Sequence, residues 1–531
     1  MVRWRIRLLL FSLAEIAIAQ LLVLAFLPID ARLFSVELLC MALVFLGATP
    51  VFAGLLQYLL IGVHGLRTTY RNLKPYYPRC AVIVPAWNEG AVIGRTIDHL
   101  LAMEYPPDRI RVVVVDDASS DDTPSVVRAK VLTDPERVVH LRRERGGQGK
   151  AHTLNHGIAH VLGDAWAEAV LIIDADVLFE PDALRKMTRH LSDPSVGAVT
   201  AYIKEGTHDG NYLTRFIAYE YITAQAAARR AQNVLGVLAC LAGGAQLHSR
   251  QNIEAIGGRI DTSSLAEDTV TTFKTQIGGC RVEFEGNAVV WAEEPSDLSG
   301  LWKQRLRWGR GNVQISLQYL SIWGKQRSAF GNLGRLPFLL IWFTVLLMPV
   351  LMFGSSAGLL TLYVISAPAA WTAFHALWLW HAVAYVFGTL MCFVIDWRTA
   401  KRCWIQALLF PGVVSMGIMV YSIYPQLYTV DLVLWLNQMG IVITPRNREM
   451  LTVFMYAWLF LCIPFAYLAK LWSETPGYKW LAPVTIYLVG YGPFLCAVTF
   501  GSYVKELFNV SAIWEKTVKT GRVMLGAVPP T

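Results

Sequence analysis

Charge is in short supply in this chain of 531 residues: Asp, Glu, Lys and Arg make up 16% of it, against 54% hydrophobic residues. That balance excludes a purely water-soluble protein. Paired cysteines are missing too. The eight present (Cys40, Cys80, Cys240, Cys280, Cys392, Cys403, Cys462 and Cys496) are scattered, so neither a disulfide framework nor a zinc site organises the fold. No glycine-spaced dinucleotide fingerprint follows the first candidate strand, which disfavours NAD, and the complete phosphate-loop signature of ATP hydrolases is also lacking. The net charge of +8 does not call for nucleic acid. Its basic residues flank apolar runs, as the positive-inside rule explains for membrane proteins.

What the chain does have is a sharp partition. Up to about Val63, and again from about Leu336 to Tyr503, it is overwhelmingly apolar, and nearly all the acids lie between. This reads as a multi-pass α-helical membrane protein with an inserted cytoplasmic α/β domain. The expected segments are a transmembrane hairpin at 1–71, the water-soluble domain at 72–298 and amphipathic interfacial helices at 299–335. A second transmembrane region at 336–503 and a cytoplasmic tail at 504–531 complete the chain. Ala17-Ile18-Ala19 resembles a signal cleavage site, but the apolar run continues beyond it and a retained hairpin, 8–27 and 34–63, is the better reading. Arg3, Arg5 and Arg7 before it, and Arg67, Arg71, Lys74 and Arg79 after it, put both ends in the cytoplasm. Glu15 inside the first run is expected to face other helices.

Later spans are expected at 336–366, 374–395, 404–424, 451–471 and 481–503, with weak spots at Gly354-Ser355-Ser356 and Pro411. Asp396, Arg398, Lys401 and Arg402 mark a cytoplasmic turn. The odd number of spans puts the tail outside, whereas Lys505, Lys516, Lys519 and Arg522 argue for inside. Precedence goes to the charges, which makes one segment re-entrant or interfacial.

The soluble stretch carries the chemistry. Residues 170–176 read Val-Leu-Ile-Ile-Asp-Ala-Asp, a doubly buried strand running into two acids. In an alternating backbone Asp174 and Asp176 would point the same way, at the strand end where open α/β sheets bind ligands. Two close carboxylates suit a hard cation bridging to phosphates; a turn or cap is the bland alternative. Strands are also read at 80–85 and 111–115, the second ending in Asp116-Asp117 within an acidic, hydroxyl-rich turn suited to a ribose or base. A basic, glycine-rich loop, 142–150, ends in Lys150, where backbone amides could hold phosphate. His152, His156 and His160 recur on the helix that follows, more as an exposed face than as metal ligands. Gly243 and Gly244 let backbone approach a ligand. Asp268, near a helix start, is either a cap or a base held ionised. The basic helix 301–311 carries Gln304, Arg307 and Trp308, a donor–acceptor, a guanidinium and a flat stacking surface; a membrane-surface helix is its alternative.

Taken in order, Pro85-Ala-Trp-Asn-Glu89, Asp116-Asp117, Lys150 with Asn155, Asp174-Ala-Asp176, Glu267-Asp268 and Gln304-x-x-Arg307-Trp308 resemble one family. It is the processive, membrane-embedded inverting glycosyltransferases: cellulose, chitin, hyaluronan and poly-N-acetylglucosamine synthases. The run 301–308, Leu-Trp-Lys-Gln-Arg-Leu-Arg-Trp, looks most like the bacterial poly-N-acetylglucosamine synthases. The resemblance implies a Rossmann-like, A-type glycosyltransferase domain that binds a UDP-sugar donor with Mg2+ or Mn2+. It also implies a growing polysaccharide as acceptor, residence in the inner (plasma) membrane, and compatibility with a small accessory membrane subunit.

By position, the resemblance makes Pro85, Glu89, Asp116 and Asp117 nucleoside contacts and Lys150 a diphosphate contact. Asp174 would sit beside the diphosphate while Asp176 ligates the metal. Asp268 would be the general base and Arg307 a further diphosphate contact. Trp308 would be the platform under the acceptor sugar, with Gln304, Gly244 and Glu267 on the acceptor side. Trp514, Lys516, Thr517 and Lys519 fall in a stretch similar to a gating loop laid over the nucleotide, and a cyclic-dinucleotide-binding domain, as bacterial cellulose synthases append, is not expected after Tyr503. Two departures bear on the sugar: Ala266 stands where cellulose synthases carry Thr, and Leu306 replaces a residue often small.

These roles form one reaction. Cations stabilise the charge developing on a diphosphate leaving group, the anomeric carbon becomes oxocarbenium-like, and one carboxylate takes the acceptor hydroxyl's proton in a single inverting displacement. Two rivals stand beside it: transfer of one sugar to a membrane lipid, which needs the same site, and a transporter with a regulatory nucleotide-binding domain. Few ionisable residues lie inside the spans, which disfavours the transporter.

Overall fold

The computed structural model describes residues 29–67, 70, 73–207, 210–325, 331–510, 521 and 523. The apolar run 8–27 with Glu15, the basic start at Arg3, Arg5 and Arg7, and the stretch holding Trp514, Lys516, Thr517 and Lys519 lie outside the described residues.

Short β-branched runs build a mixed sheet of eight strands: β1 (Cys80–Ala86), β2 (Ile110–Asp116), β3 (Val138–Arg142), β4 (Ala169–Ile172), β5 (Val177–Phe179), β6 (Val196–Glu205), β7 (Gln246–Ser249) and β8 (Arg281–Ala292). The order is β3-β2-β1-β4-β7-β6-β8-β5. β1, β2, β3 and β4 run parallel, with Ile83 opposite both Val113 and Ile172. β7 is antiparallel to β4 and β6. All four residues of β4 are buried, as a strand covered on both faces must be. The helix Gly90–Leu101 packs beneath one face and Lys150–Leu162 beneath the other. Strand order reverses at β1, which creates the crevice at the carboxyl ends of β1 and β4 where such sheets take ligands.

Asp174 and Asp176 do not lie in a strand. β4 ends at Ile172 and β5 starts at Val177, so Asp174 and Asp176 occupy the turn between them, closed by Val177 N–H donating to the Asp174 carbonyl at 3.2 Å. The chain must leave β4 to pair β5 antiparallel with β8, and strand alternation therefore does not orient the two acids. After β5 a short helix, Ala183–Thr188, tightens into the 3-10 turn Arg189–Ser192.

Among the described residues four helices are long and apolar enough to cross a membrane: Leu33–Leu66, Met348–Ile365, Ala367–Ile395 and Pro445–Glu474. Two further candidates are bent pairs, Val413–Ile423 with Leu427–Gln438 at 106° and Leu481–Val489 with Tyr491–Leu507 at 99°. Pro411 precedes the first of these, beside Gly412 at φ +85°, in keeping with its reading as a weak spot. Gly354-Ser355-Ser356 does not break its helix. The break falls at Leu347, ahead of Pro349, and Ser355 and Ser356 are buried inside Met348–Ile365. There they form a close-packing seam, with a Cβ added at Gly47 coming within 2.7 Å of Ser355.

Several membrane-flanking segments dock on the sheet domain. Asp396 pairs with Lys204 of β6 at 2.7 Å. Val523 bridges to Thr207 and packs on Leu178 and Trp291, while Gly521 N–H donates to Glu293 at 3.0 Å. Gly521 and Val523 thus lie against the α/β domain.

Candidate active site

Four separate stretches meet at the carboxyl end of β4. Lys150 begins its helix behind Gly149, which holds φ at +105°. Its ammonium contacts Asp174 Oδ1, lies 3.8 Å from Glu267 Oε1, and donates to the Gly243 carbonyl at 3.3 Å. Glu267 and Asp268 start the helix Glu267–Ile277, whose amino-terminal dipole favours their negative charge. A Cβ added to Gly243 would sit 3.3 Å from both Asp268 Oδ2 and Lys150 Nζ, and one on Gly244 would stand 2.9 Å from Val177 and 3.5 Å from Asp174 Oδ2. The double glycine is therefore where backbone comes closest to the charged cluster. Residues remote in sequence, Lys150, Asp174, Gly243, Gly244, Glu267 and Asp268, share one small volume.

The electrostatics follow from crowding. Burial acts to lower the Lys150 ammonium, but Asp174 and Glu267 outweigh it and hold it above its ordinary value. Burial raises the Glu267 carboxyl, with Lys150 and Arg307 opposing and Asp268 reinforcing the rise. Asp268 Oδ1 accepts from its neighbour's Thr269 N–H at 2.7 Å. Two groups that the sequence reading passed over face this carboxylate. Burial lowers the guanidinium of Arg229 while Asp268 pulls it back, and burial together with Asp268 pushes the Cys240 thiol well up. Neither residue belongs to a motif, so nothing in the sequence pointed to them.

The part of the crevice expected to take the nucleoside is stitched together by its own side chains. Asp116 is fully buried, accepting from Ser119 N–H at 2.8 Å and from Arg142 at 3.1 Å. Asp117 accepts from Gly147 N–H at 3.0 Å and contacts Arg143. The basic loop is thereby folded onto these two acids, and two of its arginines serve to anchor it. Glu89 caps Gly90–Leu101, half-buried, with its N–H on Thr123 Oγ1 at 2.8 Å; Pro85 lies in β1. Asn155 clamps the backbone of Ile260, donating to its carbonyl at 2.9 Å and accepting from its N–H at 2.7 Å, upstream of Glu267. His152, His156 and His160 lie on an exposed face.

Among the described residues no group of three or more His, Cys, Asp or Glu side chains forms a metal site. The turn offers two carboxylates, Asp174 against Lys150 and Asp176 buried beside it. Mg2+ and its kin are commonly held by one or two carboxylates plus substrate phosphates, so this donor set fits a metal shared with a diphosphate, not an all-protein cage.

The helix Leu298–Gln318 brings Arg307 up to Glu267. Gln304 donates to Glu294 at 3.1 Å and accepts from Arg305; the Arg305 guanidinium lies 4.2 Å over the Trp308 ring. Arg305, which the motif leaves unassigned, also grips Glu220, and Glu220 accepts from Tyr491 at 2.7 Å. Its place between the motif's two named positions was the available signal. Arg307 makes no ion pair among the described residues and is close enough to Glu267 to oppose its rise.

Comparison with known proteins bears on this arrangement. A family model described as glycosyltransferase like family 2 matches residues 78–311. A probable glycosyltransferase of Bacillus subtilis (strain 168) is 31% identical over 290 residues, 52% of this chain and 68% of that protein. A poly-beta-1,6-N-acetyl-D-glucosamine synthase of Staphylococcus aureus (strain COL) is 28% identical over 237 residues, 44% of this chain and 55% of that one. A beta-monoglucosyldiacylglycerol synthase of Synechocystis is 30% identical over 243 residues, 46% of this chain and 50% of that protein. The match therefore spans about half the length of the last two relatives. Among solved structures, a Pyrobaculum calidifontis mannosyltransferase in complex with GDP-Man and Mn2+ is 25% identical, with a TM-score of 0.49, covering 74% of this chain and 99% of that one. The chain belongs to glycosyltransferase family 2.

Proposed function

We propose that the protein is a processive polysaccharide synthase of the inner membrane. It transfers a hexose from a UDP-sugar, with inversion, to the end of a growing β-linked glycan on the cytoplasmic side and passes the product across the bilayer. The observation that carries this reading is the convergence of Lys150, Asp174, Glu267 and Asp268 near the helix that carries Arg307 and Trp308.

In this reading Glu89 and Asp117, with Pro85 and Asp116 shaping the pocket wall, take the nucleoside. Lys150 and Arg307 stand at the diphosphate. Asp176, with Asp174 beside it, would hold a divalent cation, which supplies charge stabilisation to the leaving diphosphate. Asp268 removes the proton of the acceptor hydroxyl as that oxygen attacks the anomeric carbon. Gln304 fixes the wall behind Trp308, whose ring carries the acceptor sugar; Gly244 and Glu267 border the acceptor. Transfer of one sugar to a membrane lipid is the second reading, supported by the cyanobacterial relative's similar identity.

Full-length protein in vesicles, given a panel of labelled UDP- and GDP-sugars with Mg2+ or Mn2+, tests the proposal. One UDP-sugar should be consumed and yield a polymer of uniform linkage. A monoglycosylated lipid would favour the second reading, and no turnover of any donor would overturn both.

A further inference from the structure

Helix Leu298–Gln318 has a second face. Trp302, Lys303, Leu306, Arg307 and Arg310 recur at helical spacing and line a cavity of about 920 Å3, whereas Gln304 and Trp308, four apart, lie on the opposite side. The remaining walls come from Met348–Ile365, Pro445–Glu474 and Tyr491–Leu507, which are long and apolar enough to span a membrane or form part of a bent candidate span, with Leu265 and Val510 at the edges. Val350, Phe353, Phe460 and Phe500 line it and are also among the exposed large apolar residues, so the cavity opens sideways into lipid.

Its lining is charged in one sense. Among the described residues, Lys303, Arg307, Arg310, Lys470 and Lys505 stand against a single lining carboxylate, Glu474. Arg310 is engaged by Glu506 at 2.6 Å and Lys470 by Glu474 at 2.7 Å. Lys505 has no ion pair among the described residues, and the cluster as a whole keeps surplus positive charge. Apolar walls open to the bilayer with cations at one end suit an amphiphile that carries negative charge on its head.

We propose that this cavity binds an acidic phospholipid taken from the leaflet facing the catalytic domain. The acyl chain lies along Val350, Phe353, Phe460 and Phe500, and the phosphate is held by Lys470 and Lys505 with Lys303 beside them. This site is separate from the glycan platform, since Trp308 lies on the other side of the helix. Its occupancy reaches the transferase site because Arg307 belongs to both.

The test uses full-length protein in phosphatidylcholine vesicles, without donor, doped with phosphatidylglycerol or phosphatidylcholine carrying a photoreactive acyl chain. Peptide mapping should place the phosphatidylglycerol label within 350–353, 460–467 and 497–504, several-fold above the phosphatidylcholine label. Lys470→Gln with Lys505→Gln should reduce that label about five-fold for each lysine, and Lys470→Arg with Lys505→Arg should restore it at an unchanged thermal midpoint. Equal labelling by the two lipids, labelling spread evenly over all lipid-facing helices, or displacement by inorganic phosphate or a soluble oligosaccharide would each overturn the assignment. Because no donor is present, failure here leaves the transferase reading untouched.

Discussion

Arg305 grips Glu220 through two parallel hydrogen bonds, Nε to Oε1 at 3.1 Å and Nη2 to Oε2 at 2.9 Å. The pair joins the helix Leu298–Gln318 to the helix Tyr212–Tyr221, with side chains 5% and 12% exposed. Removing one partner strands the other charge in a buried place, which costs roughly 3–5 kcal/mol. Arg305→Ala should therefore lower the melting temperature markedly. Arg305→Lys should recover little, because an ammonium cannot make the forked contact. A variant with native melting and native activity would show that the two parts are held together elsewhere.

Lys150 is the counter-ion of the cluster. In Lys150→Met, Asp174 and Glu267 lose the cation between them, and in the proposed reading the donor's diphosphate loses one as well. Donor KM is expected to rise by about ten-fold or more, one lost charge-assisted contact being worth roughly 1.5–3 kcal/mol. Unchanged KM in steady-state kinetics would remove Lys150 from the donor site.

Burial pushes the Glu205 carboxyl from 4.5 up to about 7, although Thr207 N–H donates to it at 2.7 Å. For an acid raised by folding, the native state keeps a proton that the unfolded chain has already released. Stability therefore falls as pH climbs between those two values and levels off above the higher one. The full effect is roughly 3 kcal/mol. Glu205→Gln keeps an acceptor for Thr207 and removes the ionisation. Its melting temperature should exceed the parent's at pH 8 and match it near pH 4.5; a constant offset across pH would contradict this.

With Arg305 covering one face of Trp308, the sugar is expected on the other. Trp308→Ala should impair transfer to acceptor more than hydrolysis of donor, and Trp308→Phe should retain part of the transfer. Equal loss of both activities, followed by product and free-sugar assays, would remove the stacking role.

Much of the fold was legible because burial writes itself into sequence. Val112 to Val115 and Val170 to Ile173 are apolar on consecutive positions, and such runs form the central strands. The two acids after β4 were visible, but their setting was not. Alternation holds only while a strand continues, and the chain turns at Asp174 to pair β5 with a strand more than a hundred residues away. Likewise Gly354-Ser355-Ser356 looks like a helix breaker in one dimension; as a packing seam it depends on Gly47 of another helix. The meeting of Lys150, Asp174 and Glu267 could be expected from the motifs taken together. The engagement of Arg142 and Arg143 by Asp116 and Asp117, and the pairing of Arg305 with Glu220, depend on tertiary partners that no local pattern specifies.

The most direct test of the account is Asp268→Asn in the full-length protein, with nucleotide binding followed by calorimetry in the presence of Mg2+ and product followed from a labelled UDP-sugar. Binding should be retained within a few-fold while transfer falls by roughly 100- to 10,000-fold. Transfer at the parental rate would show that the proton leaves by another group and that the site is built differently.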